Sequence, residues 1–181
     1  MTPLLAHLME TGFGGFYDGI AHLLMTPTDL LLVVGLSILA GQQGPAGGRT
    51  LLLVLPLAWL IGGRLGQPMS PVAMVELISI VWFTTIGVLV ALQTRLNRLS
   101  LVLLACMSGL LFGFGNGSTM GLTGLLPQDL FGVIVAVSVI AVLVTAQVVA
   151  SHRQWICIVF RGAGSWIAAA GLLALGLQFK G

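Results

Sequence analysis

The sequence predicts an all-α membrane protein, a polytopic bundle of six transmembrane helices preceded by a short helical arm. Of its 181 residues, 57% are hydrophobic and only 7% are charged, and the mean hydropathy is +1.10. A soluble domain carries about 25% charged residues, so this chain lacks the charge to build a water-facing surface. Its apolar runs are too long and continuous for barrel strands, and helices satisfy their own backbone in hydrocarbon.

The apolar runs form one predicted membrane domain over residues 27–179, after an outer arm over residues 1–26. A spanning helix needs about 20 mostly apolar residues. The first two runs are shorter, so they either extend into their flanks or the bilayer thins around them. The predicted spans are residues 27–42, 50–65, 71–93, 99–114, 127–151 and 154–179. Residues 113–128 are predicted to be the longest connection because they are rich in glycine.

The placement of cations predicts the orientation of the bundle. The loops after the first, third and fifth spans carry four arginines: Arg49, Arg95, Arg98 and Arg153. The opposite side carries Arg64 and Lys180. Under the positive-inside rule both termini then lie outside the cytoplasm. All five carboxylates fall on that outer side, where they would concentrate cations, although acids also favour this side and helix N-termini for structural reasons alone.

Composition argues against several classes of protein. The net charge of +2 without a basic run gives no reason to expect nucleic-acid binding. The two cysteines lie in separate apolar runs and are predicted to be packing residues, and no signal-peptide pattern opens the chain. There is no H-E-x-x-H and no cofactor motif. Ser118 lacks a glycine two residues later and a histidine placed to activate it, so neither an enzyme nor a bound cofactor is expected.

Glu76 is the most informative ionisable residue, because a carboxylate inside an apolar span costs roughly 2.5–3.5 kcal/mol at mid-span and less near the interface. It either serves as a cation ligand or proton acceptor, or it forms a structural hydrogen bond to a neighbouring helix or to Arg64. Asp29 follows Thr26 and Pro27, which fit a helix start, so its charge has a structural explanation as well. His22 and His7 lie on the same predicted side. Histidine together with carboxylates suits nickel, zinc or cobalt better than calcium.

The N-terminal stretch resembles the HupE/UreJ family, the hydrogenase and urease accessory membrane proteins regarded as nickel permeases. Ala6-His7 resembles the start of the family's mature chain, and residues 12–19 (GFGGFYDG) resemble its Gly/Phe-rich segment. His22 resembles the first His of a His-Pro…Asp-His element that leads into the first span. Val75-Glu76-Leu77 is similar to the family's Val-Glu-Leu, and residues 161–171 (RGAGSWIAAAG) resemble its closing helix. The resemblance implies six spans, an outside N-terminus and transport of Ni²⁺ or another divalent cation as substrate.

The sequence also departs from the family pattern. Leu23 stands where the family has Pro, and Thr28-Asp29 stands where it has Asp-His. The family's His-Gly-His-Ala-His-Gly element falls near residues 114–119, which read FGNGST here. Most of the imidazole ligands are therefore absent, which implies a harder or more loosely held ion, or the loss of transport.

Two functions follow from these patterns. The first is a permease in the inner membrane of a bacterium, with an outer-side metal site formed by His7, His22, Asp29, Glu76, Asn116 and Ser118. The second is a non-transporting accessory subunit that forms homo-oligomers or docks on other membrane subunits through small-residue helix faces. The kept His22 and Glu76 favour the first function, and the absent histidines favour the second.

Overall fold

The structure, a computed structural model of the chain, describes residues 13–70, 73–123, 127–151 and 154–178. Every element in these ranges is an α-helix, as predicted, and no strand occurs among them. The seven helices of the described ranges are α1 (Gly15–Met25), α2 (Pro27–Gln42), α3 (Pro45–Gly66), α4 (Ala73–Ala91), α5 (Arg98–Thr123), α6 (Pro127–Ala150) and α7 (Gln154–Gln178).

Helices α3 to α7 are each long and apolar enough to cross a membrane. The sixth candidate span is α1 together with α2, which meet at a bend of 78°. Alone, the 16 residues of α2 reach only about 24 Å, less than the roughly 30 Å of a hydrocarbon core. The prediction of six spans therefore holds when the bent pair is counted as one broken or re-entrant span.

Two predicted boundaries differ from the structure. The short second run does extend into its flank, because α3 begins at Pro45, a residue suited to the first turn of a helix. The prediction of a connection over residues 113–128 is wrong for most of its length, since α5 continues to Thr123.

Close packing of α3 against α5 explains why this glycine-rich stretch is helical. The two helices run in the same direction and make the most extensive contact in the bundle. A Cβ atom at Gly113 would collide with the Trp59 carbonyl, and one at Gly117 would collide with the Gly63 carbonyl. Glycine costs a helix about 1 kcal/mol relative to alanine, but in lipid it lets two backbones approach closely. These glycines therefore form a helix interface and not a loop.

Helix α2 lies at the centre of the bundle, where it packs on α6, α4 and α3. Leu32, Val33, Leu36 and Leu39 are completely buried there. On the far side of α4, α7 packs antiparallel to it, with Gly87 against the backbone of Gly164 and Ala168. The result is a bundle whose core is mainly hydrophobic, with Trp59 and Phe83 among its largest buried side chains.

The two ends of the bundle differ in charge. We call the end where α2, α4 and α6 begin the acidic end, because the four carboxylates in the described ranges lie there: Asp18, Asp29, Glu76 and Asp129. The opposite, basic end carries Arg49, Arg95 and Arg98, which lie at or next to the starts of α3 and α5. The fold thus separates the carboxylates from most of the arginines, as the sequence predicts, with Arg64 in the last turn of α3 as the cation at the acidic end in the described ranges.

Candidate metal site at the acidic end

Three buried polar side chains connect three helices at the acidic end. His22 Nε2 lies 2.6 Å from Asn116 Oδ1, and Asn116 Nδ2 donates to Asp29 Oδ2 at 2.9 Å. The three residues are 6%, 4% and 7% exposed, so they face neither water nor lipid to any extent. The cluster joins α1 through His22, α2 through Asp29 and α5 through Asn116.

The bend between α1 and α2 positions His22 and Asp29. The Thr26 hydroxyl donates to the His22 carbonyl at 2.7 Å, and the Thr26 backbone N–H donates to the same oxygen at 3.0 Å. The Asp29 N–H then donates to the Thr26 carbonyl at 3.1 Å, which starts α2 with Pro27 in its first turn. Thr26 is the N-cap residue, as predicted, but its side chain closes α1 and does not cap α2. The bend therefore lets His22 on α1 and Asp29 on α2 both form hydrogen bonds with Asn116.

Asn116 has a defined orientation within the cluster. Its amide nitrogen also donates to the Phe112 carbonyl at 3.1 Å, so both amide N–H groups have acceptors. Its Oδ1 is therefore the acceptor toward His22, and the hydrogen bond requires His22 to carry its proton on Nε2. Because α5 extends beyond its predicted end, Asn116 projects from a helix toward α1 and α2.

The arrangement contains the ligand types that a borderline divalent cation uses: an imidazole nitrogen, a carboxylate oxygen and an amide oxygen. No three His, Cys, Asp or Glu side chains gather into a metal-binding group within the described ranges. The third member of this cluster is instead an amide. Since His22 and Asp29 are both bonded to Asn116, a cation would have to exchange with those hydrogen bonds to bind.

The other residues of the predicted site lie elsewhere or outside the described ranges. Glu76 is exposed, and it accepts a hydrogen bond from Gln178 Nε2 at 3.1 Å, which links α4 to α7. Ser118 is buried but donates to the Gly115 carbonyl of its own helix at 2.9 Å. His7 falls outside the residues that the structure describes. The structure thus brings together His22, Asp29 and Asn116.

Two further features were not part of the predicted site. Thr28 Oγ1 donates to Asp29 Oδ1 at 3.4 Å, so the hydroxyl beside the carboxylate contributes to its surroundings. Asp129 is only 1% exposed, and α1 packs over it at Gly15 and Gly19. The spacing of those two glycines, one helical turn apart, is a sequence signal for such close packing.

Comparison with known proteins assigns the family. The family model described as HupE / UreJ protein matches residues 1–174. Neither a curated protein nor a solved structure matched the chain. The matched range includes His22, Asp29, Asn116 and all the helices except the last turn of α7, and the helical membrane fold agrees with an accessory or metal-transport role at the level of the family. This multi-pass membrane chain belongs to the HupE/UreJ family.

Proposed function

We propose that this protein is a permease that admits a divalent cation of the nickel type through its acidic end, in the inner membrane of a bacterium. His22, Asp29 and Asn116 form the centre of the uptake site. The observation that carries this proposal is the buried, hydrogen-bonded cluster of a histidine, an asparagine and an aspartate that joins α1, α2 and α5.

The charge of Asp29 supports a cationic ligand. Its described hydrogen bonds come from Asn116 and Thr28, which are both neutral, and no lysine or arginine of the described ranges pairs with it. A buried carboxylate without a countercharge is costly, and such groups within membrane proteins mark ion pathways. A divalent cation supplies that countercharge.

The position of Asn116 supports the same site. The resemblance places the family's histidine-rich element near residues 114–119 of this chain, and Asn116 in that stretch of α5 contacts His22 and Asp29. Asn116 therefore lies where the resemblance places metal ligands, with an amide oxygen in place of an imidazole. One imidazole and one carboxylate beside an amide suit nickel, zinc or cobalt, held less tightly than by a set of histidines.

The remaining predicted residues lie outside the centre of the uptake site in this proposal. Exposed Glu76 adds negative charge to the acidic end, which raises the local concentration of cations. Ser118 borders Asn116 on α5, and His7 belongs to the arm that precedes α1. Under the positive-inside rule the basic end faces the cytoplasm, so the cation meets the acidic end first.

Uptake of Ni²⁺ by cells that express variants at equal membrane levels tests the proposal. We expect His22→Ala and Asp29→Asn each to lower uptake by about tenfold or more, because the first removes the imidazole ligand and the second removes the negative charge of the carboxylate. Glu76→Gln should lower uptake only about twofold, and the difference should shrink at high ionic strength, because an exposed charge acts through a screened field.

Ser108→Ala is the matched control, since Ser108 is a completely buried polar residue whose hydroxyl accepts from Trp82, away from the cluster. It should transport like the unaltered protein. Uptake at the unaltered level in both His22→Ala and Asp29→Asn would reject the site.

A second candidate function, a non-transporting accessory subunit, is favoured by the outer face of α7. Gly162, Ala169 and Gly176 recur there every seven residues, and nothing lies within 4 Å of a Cβ atom placed at Gly162 or Gly176. A helix of another subunit could pack closely on this face. The accessory function predicts that a stable complex co-purifies with the chain and that Gly162→Leu disrupts it, while metal content stays at background.

A further inference from the structure

A groove of about 540 Å³ lies between α3 and α5 at the basic end, remote from the His22 cluster. One part of its lining is apolar and includes Leu53, Val54, Leu101 and Val102. The other part is polar and includes Arg49 and Arg98. The volume lies within the range of sites that hold a small molecule or part of a larger one.

Hydrogen bonds hold the floor of the groove in place. The Gln43 side chain donates to the Leu39 carbonyl at 3.1 Å and to the Thr94 carbonyl at 3.0 Å, and it accepts from the Leu96 N–H at 3.0 Å. The connection between α4 and α5 is thereby tied to the end of α2. Asn97 Oδ1 accepts from the Ser100 N–H at 2.7 Å, which caps α5 immediately before Arg98. The groove is consequently preformed.

The two arginines of the groove have no acidic partner among the residues that the structure describes. Arg49 donates from Nε to the carbonyl of Pro45, one turn earlier in the same helix, at 3.3 Å. Both guanidinium groups are exposed, and the four carboxylates in the described ranges lie at the other end of the bundle. Each guanidinium has five N–H donors in a planar fork that matches phosphate oxygens. Two positive charges that no described carboxylate neutralises thus lie beside an apolar wall at the basic end of the bundle.

We propose that this groove binds an anionic phospholipid. Arg49 and Arg98 hold the phosphate, and the acyl chain lies along Leu53, Val54 and Val102. Charge complementarity selects this ligand: a basic pocket between transmembrane helices attracts anionic headgroups, whereas a zwitterionic headgroup brings a cation of its own toward the arginines. The apolar wall selects a lipid over a free phosphate, which cannot bury hydrocarbon. The proposal does not depend on which ion, if any, the protein transports.

The test uses the full-length protein in phosphatidylcholine nanodiscs doped with phosphatidylglycerol, with retained lipid measured by native mass spectrometry. We expect the unaltered protein to retain phosphatidylglycerol about tenfold more than phosphatidylcholine. The double variant Arg49→Gln/Arg98→Gln should lose this preference. Arg95→Gln is the matched control, since Arg95 lies at the same end but lines a neighbouring groove, and it should keep the preference.

Two further variants distinguish a loss of lipid binding from a loss of folding. Arg49→Lys/Arg98→Lys keeps both charges and should retain most of the preference for phosphatidylglycerol. Val102→Trp keeps both arginines but fills the apolar part of the groove, and it should reduce retention of the lipid. Either an unchanged preference in the double glutamine variant or an equal loss in Arg95→Gln would overturn the proposal. Displacement of the lipid by inorganic phosphate alone would assign the site to free phosphate and overturn it as well.

Discussion

At the scale of single residues, the His22–Asn116–Asp29 cluster shows what the sequence can and cannot reveal about a membrane site. The scarcity of ionisable groups makes His22 and Asp29 candidates, because polar groups in lipid are costly unless they have a partner. Their common partner, Asn116, was included in the predicted site because of the family resemblance, since a neutral amide does not stand out by its charge. Asn116 reaches them only because α5 continues through a stretch whose composition is typical of a loop. Glu76, the most prominent carboxylate in the sequence, instead lies exposed against Gln178.

The variant Asn116→Asp tests the site at this scale. Without metal we expect a loss of about 1–3 kcal/mol in the free energy of unfolding, because the amide donors to Asp29 and Phe112 are removed and two carboxylates are placed together. With Ni²⁺ we expect a larger rise in the unfolding midpoint than in the unaltered protein, since binding to the folded state stabilises it. Thermal unfolding of the purified protein with Ni²⁺ or with a chelator measures both effects.

Asn116→Leu is the matched variant for this prediction. It loses the same hydrogen bonds and gains no ligand, so its unfolding midpoint should fall without any added response to Ni²⁺. Equal responses of the aspartate and leucine variants to the metal would show that the cation binds elsewhere.

At the scale of helices, the boundaries of α2, α4, α6 and α7 agree with the predicted runs to within about two residues, because proline and polar residues limit these runs. The end of α5 was predicted incorrectly because a glycine-rich stretch favours a loop in water but can remain helical in a membrane. In water it favours turns, whereas between helices in lipid it permits backbone contact. A turn at residues 26–29 was predicted from Thr26 and Pro27, but its angle of 78° was not, since the angle depends on contacts of α1 with α5 and α6 that the local sequence does not contain.

Alanine substitutions of glycine test the packing of α3 against α5. Gly117→Ala should lower the unfolding midpoint on the order of 5 °C, because the new methyl group would collide with the Gly63 backbone. Gly162→Ala and Gly176→Ala are the controls, since open space surrounds both positions and alanine favours helix more than glycine does. Their midpoints should stay the same or rise. A midpoint for Gly117→Ala that matches these controls would contradict the tight interface.

At the scale of the whole molecule, the separation of charge was predictable from the sequence because it follows from which loops carry the arginines. The structure adds contacts that bring the helix ends together, such as Gln43 with Thr94 at the basic end and Glu76 with Gln178 at the acidic end. The relation of each end to the cytoplasm rests on the positive-inside rule.

Labelling of single cysteines in intact cells tests this orientation. In a background with Cys106→Ser and Cys157→Ser, a membrane-impermeant maleimide should react with Met69→Cys, which lies exposed near the acidic end. Ala46→Cys, which lies exposed near the start of α3 at the basic end, should react only after the cells are permeabilised. The reverse pattern would place the acidic end in the cytoplasm and exclude uptake through it from outside.

The hydrogen bonds of Asn116 determine how a bound cation would affect the connection between α1, α2 and α5. This residue holds the last turns of α1 and the first turn of α2 at the same time, through His22 on one side and Asp29 on the other. A cation bound by His22, Asp29 and Asn116 would exchange with the hydrogen bonds between these residues, while the bond from Asn116 to the Phe112 carbonyl could remain. Helices α1, α2 and α5 would therefore stay joined in both states, through the amide without the cation and through shared ligation with it, while α1 keeps its packing on α6.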